Sequence, residues 1–282
     1  MQTLLINRYL SHLACADILF LSLSILQSMV SLNISSYNIR DDKSNLHPLF
    51  CHVFSFGIGF AFSASTGFIT LVSFERYLAI CSPLKHRLIK GETRTSRLII
   101  GIWLCGFVLG GLFAPFFGMM NKVCLTWSDP SGRQIVHEIQ TCQPPTGIWL
   151  NVLSLVWFLI WTSALVVNFT MYVKIINSVR RDLNINIEGN GTLIAMRLRR
   201  RRQVAVMLVV NGVMFFTCCT VTNLLSLTTF AMSFREESVG YQFHLLFLNF
   251  IISAINSSIN PIVYGATNKE YRRAFREYVF GV

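Results

Sequence analysis

Long stretches without one ionised side chain constrain this chain more than any other feature. Residues 51–74 contain no Lys, Arg, Asp or Glu, and neither do 98–121, 146–173, 203–234 or 238–268. Residues 9–39 contain a single charge, Asp17. Each run supplies the ~20 residues that a helix needs to cross the hydrocarbon core of a bilayer. Only 13% of the 282 residues are charged and 53% are apolar, which leaves too few polar faces for helices buried in a water-exposed domain. The expected fold is all-α, a transmembrane helix bundle forming one domain, 1–282. Its six spans, A to F, lie near 9–32, 50–77, 97–120, 146–174, 202–230 and 241–265. Residues 268–280 read as a short amphipathic helix on the inner leaflet, with Tyr271, Phe275 and Tyr278 toward lipid.

The basic residues orient the bundle. With the Glu75-Arg76 end of span B in the cytosol, 19 of the 24 Lys and Arg fall on inner segments. The outer loops hold only Arg40, Lys43, Lys122, Arg133 and Arg235. This is a strong positive-inside bias. It accounts for the net charge of +11 through membrane lipids, with no nucleic acid as a partner. The run Arg199–Arg202 reads as a headgroup-facing helix start.

Two motifs carry a resemblance. Glu75-Arg76-Tyr77 closes span B and runs on to Pro83-Leu84, and Asn260-Pro261-Ile262-Val263-Tyr264 lies at the end of span F. In this order, each at the end of a span, they resemble the rhodopsin-like (class A) G-protein-coupled receptors, over nearly the whole chain. The resemblance implies a multi-pass plasma-membrane receptor. It also implies roles at the inner face. Arg76 is expected to be held by Glu75 at rest and to turn toward the G protein on activation. Tyr172 and Tyr264 are expected to swing in beneath it, and Pro83-Leu84 to dock as an apolar knob on the G protein. Leu13 to Asp17 resembles the family's second helix, so the first helix is expected to be missing and spans A to F to be helices two to seven. Residues 9–39 do not read as a cleaved leader, because Asp17 interrupts them.

Polar residues within spans are the next candidates. Asp17 lies nine residues past Arg8, about 14 Å along a helix. Ser65, ten residues before Glu75, and Asn260, nine before Lys269, lie at a similar depth. Asn256 stands four residues before Asn260, on the same helix face. A carboxylate at that depth must face the bundle interior with partners. These four oxygen-bearing side chains suit a small hard cation, and the resemblance implies a sodium–water site, an allosteric ion rather than a cofactor. The alternative is a polar network that only joins helices. The chain also departs from the family. Cys219 stands where a tryptophan is usual, and Val221 and Ala164 stand where prolines are usual. Arg201 stands where some members have an acid.

Of eight cysteines, Cys15, Cys81, Cys105, Cys218 and Cys219 fall within or at the inner ends of spans and read as reduced. Cys51, Cys124 and Cys142 fall outside, in an oxidising compartment. The resemblance implies a bridge from Cys51 to the outer loop, to Cys142 or, as the alternative, Cys124. That loop reads as a β-hairpin, Val123–Trp127 and Gln134–Ile139 around a Ser-Asp-Pro-Ser-Gly turn. It resembles the lid of peptide-binding members, so an extracellular neuropeptide ligand and a heterotrimeric G protein are the expected partners. Ile58 and Ala254 stand where amine receptors and opsins carry their ligand-binding Asp and Lys. Asn33 opens a sequon just outside span A and reads as a glycosylation acceptor. Those at Asn168 and Asn256 lie inside spans and that at Asn190 in an inner loop, so they read as chance matches.

No metal-ligand spacing or phosphate-cradling glycine loop points to an enzyme. A six-helix transporter or channel would call for an internal repeat or paired broken helices, and the sequence has neither. A truncated, non-signalling receptor fragment is the remaining alternative.

Overall fold

The structure, a computed structural model, describes residues 2–37, 49–89, 91–114, 119–128, 134–143, 148–186, 209–210, 212–221, 224, 228, 248, 251–252 and 254–259. In chain order the elements are α1 (Gln2–Tyr37), α2 (Leu49–Cys81), α3 (Pro83–Ile89), α4 (Glu92–Phe113), β1 (Met119–Ser128), β2 (Gln134–Gln143) and α5 (Ile148–Asn186). The helix Gly212–Val221 follows, here α6, and residues 254–259 are helical. Among the described residues four helices are long and apolar enough to cross a membrane: Arg8–Gln27, Leu49–Cys81, Glu92–Leu112 and Val156–Arg181. They answer to spans A to D. Parts of spans E and F, and all of 268–280, lie outside the described residues.

The bundle distributes polarity as lipid demands. Asp17, Ser55, Ser65, Ser73, Glu75, Asn168 and Asn256 are buried, whereas Ile18, Ile25, Leu104, Phe107, Val108, Leu159, Val166 and Phe169 are exposed. Exposed apolar side chains cost nothing against acyl chains, while polar ones must find partners inside. α2 is the central helix, packing against α1, α4 and α5. The core gathers Tyr9, Leu13 and Ala16 of α1, Ala64, Phe68 and Val72 of α2, and Ile99 of α4. From the later helices it adds Trp161 of α5 and Phe215, Phe216 and Cys219 of α6.

Specific contacts fix the helix pairs. α4 meets α2 at Gly110, where a Cβ would lie 2.9 Å from the Phe56 carbonyl oxygen, so only glycine permits this approach. Trp103 of α4 donates its indole N–H to His12 Nδ1 of α1 at 3.4 Å. Asn168 of α5 donates to Thr70 Oγ1 of α2 and to the Ala164 carbonyl, both at 2.8 Å. A side chain so enclosed is no glycan acceptor.

The structure differs from the sequence reading at two boundaries. Span C was expected to reach residue 120, but α4 stops at Phe113 and Met119 opens β1. Pro115 follows the Ala114 cap, and a proline lacks the N–H that would extend the helix. The segment bearing the Pro83-Leu84 knob, to which no element was assigned, is a helix. Ser82 accepts the His86 N–H at 3.0 Å and Pro83 takes the first helical position, where its missing N–H is no loss.

On the outer side, β1 and β2 form the expected hairpin, and each strand is longer than expected. Val123 pairs with Ile139, Cys124 with Glu138, and Met120 with Cys142.

Candidate functional site

The inner end of α2 presents Glu75, Arg76 and Tyr77 in turn. Neighbours one apart leave a helix about 100° from each other, so they do not face one another. Glu75 is buried and turns toward α3 and α4. Its Oε2 lies 3.3 Å from His86 Nε2, and its Oε1 lies 3.1 Å from Arg94 Nη1. The Arg94 contact is an ion pair without hydrogen-bond alignment. The expected pairing of Glu75 with Arg76 is absent. Among the described residues Arg76 makes no ion pair, and its Nε is buried without a hydrogen-bond partner.

Tyr77 lies under Lys174 of α5, whose Nζ is 5.6 Å from the ring centroid. Tyr172 packs with Ile175 against Tyr77, Ile80 and Val209. Its hydroxyl is 2.7 Å from Ser73 Oγ. Ser73 spends its own proton on the Ile69 carbonyl at 2.9 Å, so Tyr172 is the donor. Gly212 of α6 lies directly against this hydroxyl, and a methyl group there would overlap it. Tyr172 is thus wedged between α2 and α6 through contacts that no local pattern announces. Pro83 is exposed, and Leu84 projects from α3 with 76% of its surface free.

Nearer the bundle centre, Ser65 donates to Asp17 Oδ1 at 2.7 Å, both residues buried. Asn256 Nδ2 lies 3.8 Å from Cys219 Sγ. Asn256 Oδ1 is buried with no hydrogen-bond partner. The structure therefore brings Asp17 to Ser65 and Asn256 to Cys219. Asn260 and Tyr264 lie outside the described residues.

The profile of the 7 transmembrane receptors of the rhodopsin family matches residues 1–264. The chain belongs to this family. The receptor is similar to a neuromedin U receptor homolog of Caenorhabditis elegans, 28% identical over 98% of this chain and 71% of that protein. It is 25% identical to galanin receptor type 2 of Mus musculus, over 98% of this chain and 67% of that one. The growth hormone secretagogue receptor type 1 of Oryctolagus cuniculus is 26% identical over 95% and 70%. As a member of this family the receptor is a multi-pass plasma-membrane protein and not an enzyme.

The remaining expected residues lie toward the outer face. Cys51 opens α2, buried and disulfide-bonded. Cys15, Cys81, Cys105, Cys218 and Cys219 are free, which leaves Cys124 and Cys142 as candidate partners among the eight cysteines. Register sets Cys142 opposite Met120, four residues from Cys124 and about 13 Å along the strand, so the two are not interchangeable. Asn33 falls within the extension of α1 beyond Gln27. Sequence reasoning missed the roles of His86, Arg94, Ser73 and Gly212. For His86 a signal existed: Ser82-Pro83 with Leu84 and Leu88 at helical spacing marks a short helix.

Proposed function

We propose that this receptor binds an extracellular peptide of the neuropeptide class and activates heterotrimeric G proteins at its inner face. The observation that carries the reading is the state of Arg76. It stands at the inner end of the central helix, free of any ion pair among the described residues, on the same helix as Ser73, which seats Tyr172. An unpaired guanidinium at such a mouth suits the C-terminal helix of a G protein, whose carbonyls and carboxylate it can bind. The ligand half rests on the β1–β2 hairpin and on relatives named as neuromedin U, galanin and growth hormone secretagogue receptors.

Asp17, Ser65, Asn256 and Asn260 are proposed as a sodium site that favours the resting state. The described members fit a hard cation: a carboxylate, a hydroxyl and the orphaned Asn256 carbonyl oxygen. Cys51 is proposed to bridge to Cys142, and Asn33 to carry a glycan.

Cells expressing the receptor, challenged with neuromedin U, galanin and related peptides, test the proposal. A peptide should raise GTP loading of a G protein, and Arg76→Ala should abolish the response at unchanged surface density. An Arg76→Ala response equal to wild type overturns the role of Arg76, whereas no response to any peptide and no basal coupling favours the non-signalling fragment.

A further inference from the structure

The diverted Glu75 is the feature the proposed mechanism does not use. Glu75 is only 6% exposed. Both carboxylate oxygens face other elements, Oε2 lying 3.3 Å from His86 of α3 and Oε1 3.1 Å from Arg94 of α4, the latter by charge and without a hydrogen bond. Arg76, the adjacent residue and the nearest cation along the helix, receives neither oxygen. We infer that Arg94 is a positioning residue for the Arg76 switch. By holding Glu75 against α4, it denies the carboxylate to Arg76 and keeps that guanidinium available to a G protein. The inference rests on the coupling reading proposed above.

A buried carboxylate stripped of its cation is strongly disfavoured and recruits whatever charge is within reach. With Arg94 gone, His86 still meets Oε2, and the permanent cation adjacent in the chain is Arg76, whose long side chain can turn to the freed oxygen. Arg94 is suited to the task because its charge is permanent and because it opens α4. Thr95, the next residue, accepts a hydrogen bond from Tyr9 of α1 at 3.2 Å and donates to the Gly91 carbonyl at 3.1 Å. The anchor is therefore fixed to the bundle and not carried on a free loop. The clasp also joins α2, α3 and α4, so a shift of α3 under a docking G protein would be felt at Glu75.

Membranes carrying the full chain, incubated with purified heterotrimers and no ligand, provide the test through GTPγS uptake per surface receptor. Binding of a Gα C-terminal peptide to the purified chain provides a second readout. Arg94→Ala and the length-conserving Arg94→Gln should each lower both by about tenfold, within the usual range of coupling factors. Arg94→Lys, which keeps the charge, should retain most of the signal. Adding Glu75→Gln to Arg94→Gln removes the carboxylate that would capture Arg76 and should restore uptake, a rescue that a misfolded variant would not show. Wild-type uptake in both Arg94→Ala and Arg94→Gln, or no rescue by Glu75→Gln, overturns the inference while leaving coupling intact. If instead Arg76→Ala equals wild type in both readouts, the coupling reading itself fails and takes the inference with it.

Discussion

Asp17 accepts a hydrogen bond from the Ser65 hydroxyl at 2.7 Å. A carboxylate at this depth is costly unless partners or an ion meet it. If the site takes sodium, the ion stabilises the folded receptor by mass action, about 2.7 kcal/mol at one hundred times its dissociation constant. Thermal unfolding of the purified receptor should therefore occur at higher temperature in sodium chloride than in choline chloride at equal ionic strength. Asp17→Asn should erase the difference, and equal midpoints for wild type in the two salts would reduce the site to a helix-joining network. Tyr172 makes a second residue-scale case. Tyr172→Phe removes the donor to Ser73 and should lower stability by about 0.5–1.5 kcal/mol, read from the same unfolding curves.

At the scale of elements, α6 meets α5 where Gly212 faces Tyr172. Gly212→Ala forces the ring to move, and overpacking of this kind costs about 1–3 kcal/mol. The expected result is a lower unfolding midpoint together with raised ligand-free GTPγS uptake, since Tyr172 is driven off Ser73. An unchanged midpoint would mean that α6 yields without resistance. The long spans among the described residues were legible in the sequence, because lipid imposes a pattern each segment carries by itself, whereas the short α3 was not. The uncharged runs mark α1, α2, α4 and α5, but an uncharged run alone does not show that α4 stops before Pro115. The pairing of Glu75 was not legible. It depends on which way one side chain leaves a helix and on His86 and Arg94, eleven and nineteen residues further on. The Asp17–Ser65 pair was legible in part, because a shared depth follows from counting residues. The contact of Asn256 with Cys219 depends on how two later helices rotate, and no local period encodes that.

At the scale of the whole molecule, buried polar side chains and exposed apolar ones fix how the receptor sits. An epitope inserted after Arg181 should bind antibody only in permeabilised cells, and one inserted at the β1–β2 turn should bind in intact cells. The opposite pattern would invert the topology that the basic residues imply. The Cys51 bridge ties the outer end of α2 to the rest of the chain. Peptide mapping without reductant should recover Cys51 linked to Cys142, and a Cys51–Cys124 peptide would reassign the partner. Removing the bridge with Cys51→Ser should cost about 2–5 kcal/mol.

The hairpin has a further consequence. Among the described residues its sheet has only two strands, so each is an edge. Alternate backbone N–H and C=O groups on β1 and β2 point away from the pair, offering a template to which a third extended chain could add. Such docking reads the main chain and is indifferent to side chains. Discrimination among ligands would then fall to the interior of the bundle beneath, and grip and selectivity would reside in different parts of the receptor.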